Sequence, residues 1–196
     1  MADAPGAVVL ETERLVFRRE RPGDLATWLE HMNTPAVMEK VGGVQPPDKV
    51  AESFARMAAD EGALGFYFLA LKADGKLIGK AGLSRIETPI APNELREAVQ
   101  VGWTLRADCW GRGYAREAAE ASLDLAFARA GLATVYGQTS ERNTPSWGLM
   151  LRLGMERRVD LDYHDPEYPP EDNPTMVWSI AREAWQSRRS REAADG

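Results

Sequence analysis

The chain has 196 residues, of which 44% are hydrophobic and 28% are charged, and its net charge is −6. This length and composition predict one globular domain with a sizeable core, and the acidic balance disfavours a nucleic-acid-binding protein. The single cysteine, Cys109, excludes an internal disulfide and is typical of the reducing cytoplasm, where we expect the protein. No apolar stretch has the length of a signal sequence or a membrane span, so we expect neither.

The first half of the chain, after a loose leader over residues 1–10, predicts helices and a β-hairpin. The predicted elements are a strand over 14–19, helices over 22–32 and 46–60, and strands over 66–71 and 77–83. Proline in the opening turn of each helix is tolerated because its missing N–H has no helical partner there. Asp74-Gly75 favours a tight turn between the last two strands, since both residue types tolerate positive φ.

The second half of the chain begins with a loop over 86–97. The elements predicted after it are a strand over 98–105, a helix over 113–130, a strand over 134–138, a helix over 145–153, strands over 155–161 and 176–180, and a basic helix over 182–191. The order of elements up to that last helix is β-α-α-β-β-β-α-β-α-β-β. It predicts an α/β (α+β) fold with a mixed, mostly antiparallel sheet flanked by helices.

A glycine-rich turn, Trp110-Gly111-Arg112-Gly113-Tyr114-Ala115, joins a predicted strand to a predicted helix. The backbone N–H groups of a first helical turn have no intrahelical partner, and the helix dipole adds partial positive charge there. Glycine lets the backbone approach an anion where a Cβ would obstruct it. The turn therefore predicts a pyrophosphate-binding loop, although a plain strand-to-helix turn remains an alternative.

Two familiar phosphate motifs do not fit this turn. A P-loop requires Gly-Lys followed by Ser or Thr, whereas Gly79-Lys80 is followed by Ala81. The dinucleotide fingerprint requires a third glycine where this chain has Arg116. A nucleotide-binding domain therefore stays only as a minor alternative.

With its surroundings, the turn resembles the GNAT superfamily of N-acetyltransferases, and within it the RimJ/RimL-like branch. The family's loop, Gln/Arg-x-x-Gly-x-Gly/Ala, falls on Trp110, Gly113 and Ala115, with Trp110 as a departure. The other matching segments, in the expected order, are Glu11 to Arg18, Gly102 to Leu105, and Asn143 to Ser146 with the leucines that follow. The resemblance implies a GNAT domain over 11–182, a C-terminal basic helix or tail over 183–196, a sheet splayed at the acetyl-CoA cleft, and a possible homodimer.

Acetyl-CoA is the cofactor that the resemblance implies. The residues assigned to it are Thr104, Leu105, Arg106 and Ala107, whose backbone pairs with the pantetheine arm; Gly111, Arg112, Gly113, Tyr114 and Ala115, which hold the pyrophosphate; and Asn143 and Ser146, which point at the arm. An exposed, solvated side chain is the alternative for Arg112, helix capping is the alternative for Asn143, and an inert surface hydroxyl is the alternative for Ser146. No metal ligands are assigned.

Candidate catalytic groups are Ser146, which by resemblance protonates the departing thiolate, and a carboxylate that accepts the proton of the amine. Glu97, just before a predicted strand, is the first candidate for that base, and Glu94 is the alternative. Either acts directly or through a water. A solvated loop carboxylate is the other interpretation of both residues.

The acceptor is expected to be a primary amine. Residues 160–172 contain six acids and no lysine or arginine, which favours a cationic amine if this loop borders the site. The candidate acceptor-binding residues are Trp28, Met32, Tyr163 and His164. Core packing is the alternative for the first two, and His164 is either a second base candidate or a loop residue that makes hydrogen bonds.

The sequence thus predicts an N-acetyltransferase that transfers acetyl from acetyl-CoA to a protein N-terminus or a small-molecule amine in a ternary complex. A non-catalytic acyl-CoA-binding or sensing domain is the alternative, because the base is uncertain. Neither nucleic acid nor a membrane is expected as a partner.

Overall fold

The computed structural model describes residues 4–59 and 64–195. Its strands are β1 (Val8–Glu11), β2 (Leu15–Arg18), β3 (Phe66–Leu71), β4 (Leu77–Arg85), β5 (Val99–Leu105), β6 (Thr134–Thr139), β7 (Glu156–Arg157) and β8 (Met176–Ala181). Its α-helices are α1 (Asp24–His31), α2 (Pro35–Met38), α3 (Pro47–Ala59), α4 (Tyr114–Asp124), α5 (Thr144–Arg152) and α6 (Arg182–Asp195). Among these described helices, none combines the length and the apolar character that a membrane crossing requires.

The strands form one sheet in the order β1-β2-β3-β4-β5-β6-β8-β7. β1, β2, β3 and β4 pair antiparallel in sequence, and β8 lies antiparallel between β6 and β7. β5 and β6 pair in parallel, with Gln100 opposite Tyr136. The predicted fold class, a mixed and mostly antiparallel sheet with flanking helices, is confirmed.

The chain divides into two compact units, the first of which comprises residues 1–83 and 102–122. Its apolar core joins α1 and α3 to the sheet through Trp28, Met32, Val50, Phe54, Phe68 and Leu77. The ring of Phe54 meets Trp28 edge-on at 5.9 Å and Phe68 at 4.9 Å between centroids. Burial of such side chains contributes roughly 1.5–3 kcal/mol each, so this aromatic cluster is a main source of the unit's stability.

The second unit comprises residues 84–101 and 123–196. Its core is formed by Ile86, Ala91, Leu95, Tyr136, Leu161 and Val177. β6 and β8 pair over their full lengths, from Thr134 opposite Ala181 to Thr139 opposite Met176. Gly137 on β6 leaves room for a neighbouring side chain, since a Cβ there would come within 2.9 Å of Met150 Cε.

A close backbone approach within the first unit depends on Gly79. A Cβ at this position of β4 would lie 2.0 Å from the carbonyl oxygen of Thr104 on β5. Only a residue without a side chain permits that spacing, so the Gly-Lys dipeptide that fails as a P-loop has a structural role.

The structure corrects four element predictions. Residues 8–10 of the predicted leader belong to β1, which pairs with β2 at the edge of the sheet. The strand predicted over 155–161 is limited to β7, because a 3₁₀ turn at Val159–Leu161 follows it. The helix predicted over 113–130 is α4 followed by a π-helical turn at Leu125–Arg129, and α6 continues to Asp195.

Candidate functional site

The glycine turn lies in the first unit and has the conformation that its glycines permit. A 3₁₀ turn at Ala107–Cys109 follows β5, and α4 begins at Tyr114. Gly111 and Gly113 have φ angles of 71° and 81°, in the left-handed region that residues with a Cβ rarely adopt. Nothing lies within 4 Å of the position that a Cβ would occupy at Gly111, so this side of the loop is open.

Donors at the start of α4 have no protein acceptor. The first helical hydrogen bond is donated by the Glu117 N–H to the Gly113 carbonyl, at 3.1 Å. Within the described residues, the N–H groups of Gly113, Tyr114 and Ala115 donate no hydrogen bond. These donors and the positive end of the helix dipole suit an anionic group. The residues present therefore fit the pyrophosphate of a CoA-type ligand.

A polar contact that sequence reasoning missed ties this loop to the start of β2; we call Thr12, Arg14, Arg112 and Glu117 the Arg14 clamp. The Arg14 side chain donates from Nε to Glu117 at 2.6 Å and from Nη1 to the Arg112 carbonyl at 2.9 Å. The Thr12 hydroxyl and the Arg14 backbone N–H donate to the same carboxylate at 2.6 and 2.8 Å. The guanidinium also covers the ring of Tyr114 at 4.7 Å.

Glu117 remains ionised within this clamp. Burial raises the pKa of Glu117, but the hydrogen bonds from Thr12 and from the Arg14 backbone and side chain outweigh burial and bring the pKa below its usual value. The clamp therefore holds a carboxylate and a guanidinium as a charged pair beside the loop.

The segment predicted to pair with a pantetheine arm, 104–107, is partly engaged by the protein. Leu105 ends β5, and its carbonyl accepts a hydrogen bond from the indole N–H of Trp110 at 2.9 Å. The Arg106 N–H donates to Ile78 at 2.9 Å. The Arg106 side chain binds Asp108, and hydrogen bonds from Lys76 and Arg106 hold the pKa of Asp108 well below its usual range. A ligand that pairs with the backbone of Leu105 or Arg106 must therefore compete with these contacts.

Asn143 and Ser146 lie in the second unit, at the start of α5. The Asn143 carbonyl accepts hydrogen bonds from Ser146 and Trp147, but the Asn143 side chain does not cap the helix. Asn143 is only 8% exposed, and its amide group has no hydrogen-bond partner within the described residues. The side-chain capping that was the alternative for Asn143 is therefore not observed, and the role toward the cofactor arm stays a prediction of the resemblance. The Ser146 hydroxyl is partly exposed on the same face of α5.

The two candidate bases differ in their surroundings. Glu94 accepts two hydrogen bonds from Arg158, at 2.8 and 3.1 Å, and one from the Tyr136 hydroxyl at 3.0 Å. The hydrogen bonds from Arg158 and Tyr136 lower the pKa of Glu94, which makes it a poorer proton acceptor.

Glu97 has a backbone conformation that is unusual for its residue type, with a φ of 62°. Its N–H donates to the Ile86 carbonyl, and the Ile86 N–H donates to Ala98, so Glu97 is the left-handed residue of a β-bulge at the start of β5. Its side chain is 74% exposed and lies 3.9 Å from Arg85. Glu97 therefore carries an accessible carboxylate on a strained backbone position.

The predicted acceptor residues are distributed between the two units. Trp28 and Met32 are 5% and 0% exposed and belong to the aromatic core, which favours the packing interpretation. Tyr163 is half-buried and its hydroxyl accepts a hydrogen bond from Gln138 at 3.1 Å, while burial raises the pKa of Tyr163. His164 is exposed.

Arginines neutralise much of the acidic segment over 160–172. Asp162 pairs with Arg157, and Asp160 pairs with Arg158. The buried Asp172 lies 3.8 Å from Arg142 and accepts a hydrogen bond from Ser140. Since these pairs reduce the local negative potential, the segment attracts a cationic amine less strongly than its composition suggests.

Lys80 is a further titratable group that sequence reasoning missed. Its ammonium lies 5.0 Å from the ring of Trp28 and 5.3 Å from the ring of Phe66. Burial, with a smaller contribution from the positive charge of Arg56, lowers the pKa of Lys80 to about 8. A lysine within the otherwise apolar start of β4 was the available signal.

Comparisons with known proteins agree with this fold. A curated relative, FsC-acetyl coenzyme A-N(2)-transacetylase of Aspergillus fumigatus, is 30% identical over 116 residues, which cover 58% of this chain and 49% of that protein. The chain thus matches about half the length of that relative. The crystal structure of an acetyltransferase from Agrobacterium tumefaciens is 28% identical, with a TM-score of 0.70 and coverage of 91% of this chain and 95% of that chain.

A spermidine N-acetyltransferase from Vibrio cholerae, solved with CoA and spermine, has the same fold. It gives a TM-score of 0.69 at 16% identity and covers 89% of this chain and 99% of that chain. A profile of the acetyltransferase (GNAT) domain matches residues 14–156, more than half of the chain. With the strand order and the glycine turn described above, this match shows that the chain belongs to the GNAT acetyltransferase family.

Proposed function

We propose that the protein is an acetyl-CoA-dependent N-acetyltransferase that acts on a primary amine. The observation that carries the proposal is the set of unpartnered N–H groups of Gly113, Tyr114 and Ala115 at the start of α4, in a chain of this family. The names of an N(2)-transacetylase and a spermidine N-acetyltransferase among similar proteins support an amine acceptor. The RimJ/RimL-like pattern of the sequence supports a protein N-terminus or a small amine.

Acetyl-CoA supplies an acetyl group that its thioester already activates, so the protein's contribution is mainly binding and positioning. The N–H groups from Gly113 to Ala115 hold the pyrophosphate, and Gly111 supplies a positive-φ turn just before them. The Asn143 side chain, which does not cap α5, is assigned to the cofactor arm, as the family resemblance implies. The Ser146 hydroxyl donates a proton to the leaving sulfur, as the family resemblance implies.

Proton acceptance from the amine is assigned to Glu97, directly or through a water. Its carboxylate is accessible, whereas the carboxylate of Glu94 is bound by Arg158 and Tyr136. We extend the proposal to one domain over residues 11–182 with a basic helix after it, to a cytoplasmic protein, and to a homodimer.

Calorimetric titration with acetyl-CoA tests the cofactor assignment. We expect Gly113→Pro to bind at least about tenfold more weakly than the wild type, because proline removes the N–H assigned to the phosphate and does not adopt the φ of 81° that the loop requires. Gly75→Pro is the control: Gly75 also has positive φ, at 72°, but its N–H donates to the Leu71 carbonyl in the hairpin turn between β3 and β4, so its acetyl-CoA affinity should equal that of the wild type. Equal affinity for the wild type and Gly113→Pro, both folded by circular dichroism, would contradict the assignment.

Turnover separates the enzyme from an acyl-CoA-binding or sensing domain. The exposed position of Glu97 and the ion pair of Glu94 keep that second candidate in consideration. We expect thiol release from acetyl-CoA with at least one amine in a panel of polyamines, amino acids and peptides with free N-termini. Tight binding without thiol release across the panel would favour the sensing domain.

A further inference from the structure

The guanidinium of Arg14 has three nitrogens, and two of them already hold the glycine loop. Nε binds the Glu117 carboxylate, and Nη1 binds the Arg112 carbonyl. These two contacts join the start of β2 to Arg112, just before α4, and to Glu117, in the first turn of α4. Because the guanidinium is planar, these two contacts also determine the direction of the third nitrogen, Nη2.

Nη2 is the Arg14 nitrogen that lies beside Gly113. It lies 3.3 Å from the position that a Cβ would occupy on Gly113, the residue whose N–H begins the donor set. Within the described residues, Nη2 donates no hydrogen bond. A charged donor with free N–H capacity therefore lies beside the backbone donors of Gly113 to Ala115.

We propose that Arg14 is a phosphate-binding and positioning residue of the glycine loop: Nε and Nη1 hold the loop, and Nη2 donates to the pyrophosphate of the CoA ligand. The inference rests on the proposed function, since it assumes a CoA ligand. The loop itself contains no lysine, and the side chain of its Arg112 is exposed. Under this proposal, Arg14 supplies the positive charge beside the phosphate. The family loop pattern discussed above does not include this residue, which is about one hundred positions earlier in the chain.

The test compares two ligands that differ in the pyrophosphate. Dissociation constants of CoA and of S-acetylpantetheine, which lacks the pyrophosphate and the nucleotide, are measured by direct and displacement calorimetry. We expect Arg14→Gln to weaken CoA binding about tenfold and to leave S-acetylpantetheine binding within about twofold. Arg14→Lys keeps the charge but cannot make both anchoring contacts, so its CoA affinity should fall between those of the wild type and Arg14→Gln.

Lys72→Gln is the matched control. Lys72 forms an exposed ion pair with Glu11 at 2.8 Å in the same unit and is not part of the clamp. Its CoA affinity should equal that of the wild type. Equal weakening of both ligands in Arg14→Gln would assign Arg14 a merely structural role and overturn the inference, as would unchanged CoA binding.

Three further outcomes are distinguishable. If Arg14→Gln does not fold, Arg14→Lys decides the matter, because wild-type affinity for CoA in that variant contradicts a bidentate anchor. If the folded wild type binds no CoA, the proposed function itself fails and the inference fails with it. If the wild type binds CoA and the Arg14 variants bind equally well, only the inference fails.

Discussion

Arg18 and Asp24 form a buried, two-contact ion pair between β2 and the first turn of α1. Nη1 and Nη2 of Arg18 lie 2.5 and 2.9 Å from the two carboxylate oxygens, and the residues are 3% and 6% exposed. Asp24 also accepts the backbone N–H of Arg21 at 2.7 Å. Removing one partner leaves the other charge buried without compensation.

We therefore expect Asp24→Ala to reduce the free energy of unfolding by roughly 3–5 kcal/mol. Chemical denaturation followed by circular dichroism measures the change. Glu52→Ala, which breaks the exposed pair with Lys49 at 3.0 Å, is the control and should change stability by less than about 1 kcal/mol. Similar losses in the two variants would show that burial of the first pair has little energetic consequence.

Replacement of Lys80 by methionine should change how stability depends on pH. The pKa of Lys80 is lowered from 10.5 to about 8, so between these pH values the unfolded chain binds more protons than the folded protein. Folded-state stability therefore rises with pH through this window, and the cost of the charged amine is fully present below pH 8.

Lys80→Met removes that titration, so its stability advantage over the wild type should be largest at neutral pH and shrink above it. We expect an advantage of roughly 1–2 kcal/mol, since the side chain is only partly buried. Thermal or urea unfolding at a series of pH values measures it, and Lys49→Met, at an exposed site, is the control. A difference between wild type and variant that is constant with pH would contradict the lowered pKa.

Two substitutions at Glu97 separate its backbone from its carboxylate. Glu97→Gly should increase stability by roughly 1 kcal/mol, because glycine adopts the observed φ of 62° without strain. Glu97→Gln should leave stability unchanged. If Glu97 accepts the proton of the amine, both variants should lose about a hundredfold or more in kcat, measured by thiol release.

Glu87→Gln, on a nearby exposed position, is the control for the catalytic comparison and should retain wild-type kcat. Full activity of both Glu97 variants would remove Glu97 from the reaction and leave it the role of a strained bulge residue. Loss of activity in Glu97→Gly alone would point to the bulge conformation instead of the carboxylate.

Gly79→Ala should be severely destabilising, by roughly 3 kcal/mol or more, because the new Cβ meets the Thr104 carbonyl at 2.0 Å and backbone must move. Gly75→Ala is a useful comparison: its φ of 72° is strained for alanine, but nothing lies within 4 Å of the new atom. That variant should lose only roughly 1–2 kcal/mol. Urea unfolding of both variants measures the difference, and equal losses would show that backbone strain alone determines the cost.

Local patterns in the sequence predict most of the helices and strands and the glycine loop. The spacing of apolar residues and the turn-forming residues suffice to predict elements such as β3, β4 and α5, because both depend only on residues that are close in the sequence. β1 escaped prediction because its four residues, three of them in an otherwise irregular leader, carry almost no periodic signal, and pairing with β2 alone makes them a strand.

The contacts that give each candidate residue its chemistry are long-range, and a single sequence does not contain them. Arg14 and Glu117 are separated by 103 positions, and Arg158 and Glu94 by 64. The first pair reinforces the predicted loop, whereas the second makes a candidate base less suitable. Neither the charge types nor their local spacing distinguishes these outcomes.

Trp110 gives the glycine loop its own optical reporter. Its indole N–H is tethered to Leu105 while 53% of the residue is exposed, in contrast to the buried Trp28, Trp178 and Trp185. An indole ring in water emits at longer wavelength than one in a protein interior. A ligand that covers this ring would shift the emission to the blue, so intrinsic fluorescence can follow arrival at the loop without any added label.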